Sequence, residues 1–320
     1  MSDFTDIFLG EAYLESYCAF IGHKGLVFVE GLKDIPFWEG MLDDGSDIKY
    51  SFNHASHEST RGKTVLYKFH SYANRFALFA MDSDFDYICP NNSDKAISIN
   101  SNKYIIQTLV YSKESVSLHH LVIKDCIGKI RITDSISFPI KEYIESYSEI
   151  IYEPLLRFLF QKERGVHVDD FSFHEEIRPE KPEMDENYKL TNRPFDLINE
   201  NKAAIESAFK ISDVPESEFI DFLEKSTERG LNKHTAAYFI NGHFFEEQVV
   251  MPLINGIVGT FKHNELEKIK KECSEKPQQI NDRKKELFSY IKNEISFSNI
   301  LHATREKYKT PLSIAIINSL

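Results

Sequence analysis

Asp82, Ser83, Asp84, Phe85 and Asp86 alternate acid with non-acid directly after the apolar run 76–81 (FALFAM). In an extended chain that alternation aims three carboxylates to one side. Another acid, Glu30, closes the apolar run 26–30 (LVFVE). Such runs read as strands of a parallel sheet buried on both faces, and the carboxyl edge of such a sheet is where sites form. Crowded carboxylates repel one another unless a cation sits among them. A few carboxylates suit Mg²⁺, which takes oxygen ligands, and Mn²⁺ accepts the same donors. The same residue types also make caps and Asx turns, so turn chemistry stands beside metal binding at Asp82 and Asp84. Asp86 stands between a supporting role behind the ligands and a surface acid. Asp34, just before Ile35-Pro36-Phe37-Trp38, reads as a helix cap.

The elements that must hold these acids follow from the apolar pattern. Strands are expected over 26–30, 48–54, 76–81 and 104–110 (YIIQTLV), with helices between them. The alternation of β-rich runs with amphipathic stretches predicts βα units and an α/β fold with a mainly parallel four-stranded sheet. The stretch 63–74 places Val65, Leu66, Phe69 and Tyr72 on one helical face, and 115–127 is expected to form a further helix. Beyond about residue 138 long helical patterns take over. A first domain over 1–138 and a mainly helical domain over 139–320 are therefore expected, the second supporting dimerisation, substrate recognition or partner docking. A helix over 141–161 should kink or break at Pro154. The polar stretch 165–194, with Pro179, Pro182 and Pro194, reads as a long loop or insertion.

Composition bounds the rest. The chain has 320 residues, 42% of them hydrophobic, and no apolar run near the length of a membrane span. With an acidic opening segment, a cytoplasmic protein without membrane contact is expected. Cys18, Cys89, Cys126 and Cys273 lie far apart with no CxxC pair, so reduced, buried thiols are expected rather than a zinc or redox site. The formal net charge of -12 opposes a nucleic-acid partner unless bound cations reverse the local sign.

Other candidates are weaker. Lys63, at a helix start where free amides favour an anion, is placed to touch a phosphate. Gly62-Lys63-Thr64 is no phosphate-binding P-loop, because His57 stands where its first glycine would be. His119 and His120 are adjacent and face different ways on a helix. His243, with Glu246 and Glu247 but no HExxH pattern, reads as structural. The lysines of 262–285 alternate with glutamates like a solvated helix, and they are the best candidates for an auxiliary basic surface.

A glutamate after one strand and Asp-x-Asp after a later one, here Val29-Glu30-Gly31 and Asp82-Ser83-Asp84, resembles the Toprim signature shared by topoisomerases, primases and nucleases. The segment from Phe28 to Phe37 (FVEGLKDIPF) is similar to a Toprim-like family related to the nuclease half of OLD proteins, which includes the effector nucleases of PARIS anti-phage systems. Arg61-Gly62-Lys63, Tyr111-Ser112-Lys113-Glu114-Ser115 and Asn241-Gly242-His243 resemble three further segments of that family; Thr60-Arg61 and Ser115 depart from its usual glycine and asparagine. The resemblance implies a magnesium-dependent nuclease with Glu30, Asp82 and Asp84 as metal ligands and catalytic acids. Asp86 and Glu114 would complete the metal set, and Lys63 would steady the phosphate. It further implies a toxic abortive-infection effector that cleaves tRNA, acts as a homodimer, and is held inactive by an ABC-type ATPase sensor subunit of the PARIS kind until released. An OLD-type DNA endonuclease and a non-catalytic Toprim-like regulatory subunit of an ATPase complex are the alternatives. The nucleophile, water or an RNA hydroxyl, stays open.

Overall fold

The computed structural model describes residues 10–54, 62–130, 136, 138–209, 214–273, 276–293 and 296–319. His57, Thr60 and Arg61 lie outside the described residues. The chain folds as α/β, with a four-stranded, all-parallel sheet followed by a mostly helical part.

The strands are β1 (Leu26–Val29), β2 (Ser51–His54), β3 (Ala77–Met81) and β4 (Ile105–Gln107), in the order β2-β1-β3-β4. All four expected strands are present and each is shorter than its apolar run. Leu26 pairs with Ser51 on one side and Ala77 on the other, and Met81 pairs with Gln107. Chain direction across the sheet reverses between β1 and β3, which makes the gap beyond their carboxyl ends the switch-point crevice.

β3 is buried at all five positions, because both faces of the sheet are covered. Ala77, Phe79 and Met81 face a cluster with Leu14 of α1 (Glu11–Ile21) and Leu66 of α2 (Gly62–Tyr67), while Leu78 and Ala80 face the main core. The helix α2 spans Gly62–Tyr67, with a 3-10 turn at His70–Tyr72. The expected single helix over 63–74 is therefore broken after Tyr67; of its expected apolar face Leu66 is fully buried, and Val65, Phe69 and Tyr72 only partly. The helix expected over 115–127 is likewise two, α3 (Lys113–Ser117) and α4 (His120–Gly128), separated at Leu118 and His119.

In the C-terminal part, α5 (Ile140–Glu163) runs unbroken through Pro154. The expected interruption does not occur. Pro154 is itself buried, and the row of buried residues from Ile140 to Gln161 outweighs the loss of one backbone hydrogen bond. The polar stretch is not wholly loop either: α6 (Asp170–Glu176) lies within it, capped by Asp169, whose carboxylate accepts the Phe171 N–H. The same main core that contains Val27 and Val29 of the sheet continues through Tyr147, Leu155 and Phe158 of α5 to Phe245 and Ile254. All four cysteines are buried and free. Among the described residues no helix is long and apolar enough to cross a membrane.

Candidate functional site

Glu30 and Asp82 each follow the last residue of a central strand, so the parallel pairing of β1 with β3 sets them side by side. The Asp82 N–H donates to Glu30 Oε1 at 3.2 Å, and the Lys113 N–H donates to Asp82 Oδ1 at 2.8 Å. Loss of solvent raises the Glu30 pKa to about 7, against the pull of Lys63 and reinforced by Asp84. Loss of solvent likewise pushes Asp82 well up, with Glu114 and Glu30 adding to it and Lys113 opposing it. These two acids are under-compensated, which makes them candidates for a functional site.

The alternating acids do not form one row. Asp84 adopts φ 48, the left-handed region, and residues 84–88 turn. The cause is non-local: Ser83 is buried, its N–H donates to Thr108 Oγ1 at 3.0 Å, and its Oγ accepts the Leu109 N–H at 3.0 Å. Aspartate tolerates this conformation better than most residues. Asp82 consequently faces Glu30 and Lys113, whereas Asp84 and Asp86 face Lys63.

Lys63 Nζ bonds Asp84 Oδ2, donates to the Asp82 carbonyl at 3.1 Å and stands 3.7 Å from Asp86 Oδ2. Burial alone would lower its pKa, but the surrounding acids, Asp84 first, raise it above the ordinary lysine value. Asp86 Oδ2 also accepts from the Tyr67 hydroxyl at 3.1 Å. Lys113 plays the matching part on the other side, pairing with Asp34 Oδ1 at 2.8 Å and Glu114 Oε1 at 3.0 Å. The Ser112 hydroxyl donates to Glu114 Oε2 at 2.7 Å. Burial alone would raise the Glu114 pKa, yet Lys113 and Ser112 hold it below the ordinary value.

Asp34 differs from the expected cap. Its side chain makes no cap bond to the helix Ile35–Met41; instead Oδ2 accepts the Gly31 N–H at 2.8 Å while Oδ1 meets Lys113. Asp34 and Lys113 are thus members of the site that sequence reasoning missed. Their signal was present, since Asp34 lies four residues after Glu30 and Lys113 immediately precedes Glu114, but both also fit a surface role.

The helical part reaches the same edge. Tyr111 N–H donates to the Tyr238 carbonyl at 3.0 Å, Asn241 Nδ2 donates to Tyr111 Oη at 3.1 Å, and Gly242 packs against Ser112. A π-turn at Phe245–Val250 follows, and its Glu246 has a pKa raised by burial and then by Glu114. His243 is exposed and opposes the rise at Glu246, and His119 stacks on Tyr238. The stretch 262–285 falls on two helices, Met251–Glu272 and Pro277–Asn293, rather than one; Lys268 pairs with the buried Glu265, Lys270 with Glu267, and Arg283 with Glu272.

The donors at this edge are oxygen atoms only, mostly anionic, and two of them are only partly compensated. That chemistry fits a hard divalent cation. Among the described residues no three acid, histidine or cysteine side chains converge on one point; the acids are turned instead to the ammonium groups of Lys63 and Lys113. Compared with known proteins, the chain matches no family model and no curated protein.

Proposed function

We propose that this protein is a magnesium-dependent phosphodiesterase of the Toprim type, a nuclease that acts on tRNA as the effector of an anti-phage abortive-infection system. The observation that carries the reading is the Glu30–Asp82 pair, under-compensated at the switch point between two parallel strands. The resemblance of the segments around Glu30, Asp82, Glu114 and Gly242 supports the narrower family, and with it an ABC-type ATPase sensor as partner and a cytoplasmic homodimer as the active form.

In this reading Glu30 and Asp82 hold the cation and Asp84 adds a further oxygen. A Mg²⁺ or Mn²⁺ held by these residues would neutralise charge at the scissile phosphate and activate the nucleophile, water or an RNA hydroxyl. Lys63 contacts a phosphate oxygen, and Lys113 fixes Asp82 through its N–H. Glu114 and Asp86 stand behind these groups and set the field at the edge. The formal charge of -12 makes a cation at this edge, or a basic surface on the partner, more necessary for polyanion approach.

The test is cleavage of tRNA and, separately, plasmid DNA by the purified protein with Mg²⁺ or Mn²⁺, alone and with its triggered ATPase partner, alongside Glu30→Ala. Cation-dependent tRNA cleavage lost in Glu30→Ala is the expected result. Cleavage of plasmid alone would replace the RNA substrate with DNA. Cleavage indifferent to chelator and to Glu30→Ala would overturn the site, and silence in every arm would favour a regulatory subunit.

A further inference from the structure

Two ammonium groups stand inside the acidic edge, each between carboxylates brought from different elements. Lys63 meets Asp84, Asp86 and the Asp82 carbonyl; Lys113 meets Asp34 and Glu114. These are not ordinary surface pairs, since the side chains of Lys63 and Asp86 are each 16% exposed. The Lys63 ammonium is bounded by three oxygens, two of them anionic, which is the kind of set a hard cation takes.

We propose that Lys63 is the site's own tethered counter-cation: in the cation-free protein its ammonium holds Asp84, the further oxygen that a cation at Glu30 and Asp82 takes, and a divalent cation loads by displacing it from that carboxylate. The displaced side chain is then free for a substrate phosphate. This rests on the reading of the edge as a cation-dependent nuclease site. One feature singles out Lys63 over Lys113. Its partner Asp84 is 43% exposed, so the pair opens towards solvent, whereas Asp34 and Glu114 are only 15% and 16% exposed. Lys113 also holds Asp82 through its backbone, which a swing of its side chain leaves untouched. Lys63 is anchored likewise: Gly62 lies flat against the Glu30 carbonyl, so the backbone stays in place while the flexible four-carbon stem moves.

Competition for the same oxygens has a consequence that a purely structural lysine lacks. Removing the ammonium should strengthen cation binding while weakening any step that needs Lys63 on phosphate. The two effects have opposite signs.

The experiment is Mn²⁺ titration, followed by electron paramagnetic resonance, of wild type and Lys63→Met. It is paired with acylation of wild-type lysines, with and without Mg²⁺, read by peptide mass spectrometry. Lys63→Met is expected to bind Mn²⁺ about tenfold or more tighter, the scale of removing one nearby competing charge. Lys63 labelling should rise severalfold with Mg²⁺ while Lys113 labelling stays unchanged. Equal or weaker Mn²⁺ binding by Lys63→Met, or Lys63 labelling indifferent to a cation that does bind, overturns the inference and leaves the nuclease reading standing. Absence of Mn²⁺ binding in both proteins overturns both. Should Lys63→Met fail to fold, the wild-type labelling decides alone.

Discussion

A Cβ placed on Gly62 would stand 1.7 Å from the carbonyl oxygen of Glu30. That carbonyl is main chain at the end of a central strand and cannot turn aside. Gly62→Ala is therefore expected to destabilise the fold by about 1–3 kcal/mol and to shift Glu30 relative to Asp82. Chemical denaturation measures the first effect and Mn²⁺ titration the second. Gly259→Ala is the control: nothing lies within 4 Å of its new methyl, on the helix Met251–Glu272. It should be neutral or stabilising by about 0.5–1 kcal/mol.

Charge at Glu30 gives the site a pH signature in chelator. Its pKa is raised from 4.5 to about 7 by loss of solvent. The folded state therefore keeps a proton that the unfolded chain has released, and this contribution is fully present below pH 4.5 and lost as pH rises through about 7. Glu30→Gln removes that dependence. The variant should gain about 1–3 kcal/mol over wild type between acid pH and pH 8, part of the shift being discounted for residual exposure. Mg²⁺ should then stabilise wild type at pH 8 and leave Glu30→Gln unmoved. Thermal unfolding across pH, with and without Mg²⁺, reads both; a constant difference between the two proteins would contradict the assignment.

Where an apolar run ends in an acid, sequence was enough. The runs before Glu30 and Asp82 made both residues legible, because a buried parallel strand needs no partner to be recognised by its side chains. The alternation of Asp82, Asp84 and Asp86 misled, because the turn at Asp84 depends on Thr108 and Leu109, about 25 positions away. Pairing of Lys63 with Asp84 is equally non-local, and no local pattern distinguishes it from a solvated lysine. Pro154 misled for another reason: a helix interior tolerates proline when burial along its length outweighs one missing hydrogen bond. Within the polar stretch, Asp169 before Phe171 was a readable cap, outweighed by the surrounding prolines.

The contact between Gly242 and Ser112 couples the helical part to Glu114. A methyl at position 242 would stand 2.0 Å from Ser112 Oγ and 3.3 Å from Glu114 Cβ. Gly242→Ala must push the hydroxyl from its bond to Glu114, at an expected cost of about 1–3 kcal/mol. Ser112→Ala loses the same bond, at about 1 kcal/mol. Because each substitution removes the same interaction, the double variant should be more stable than the sum predicts by about 0.5 kcal/mol or more. Urea unfolding of all four proteins closes the cycle, and strict additivity would show that Gly242 does not act through Ser112.

His174 ties α6 to the segment that carries this contact. Its Nδ1 faces the Asp170 carbonyl at 2.5 Å, and its Nε2 accepts the Asn241 N–H at 3.2 Å. The two partners require a neutral ring with its proton on Nδ1. Burial pushes its pKa below the ordinary imidazole value, outweighing the carbonyl and carboxylate of Asp170. A depressed folded pKa contributes stability above pH 6.5, and that contribution is lost as pH falls through the folded value. His174→Gln keeps an acceptor for the Asn241 N–H without titrating there. The stability advantage of wild type over His174→Gln should therefore shrink as pH falls below 6.5. Denaturation midpoints of both proteins between neutral and acid pH test this. Parallel curves would mean that the Asn241 N–H does not depend on a neutral imidazole, and the route from α6 through Asn241 and Gly242 to Glu114 would lose its first link.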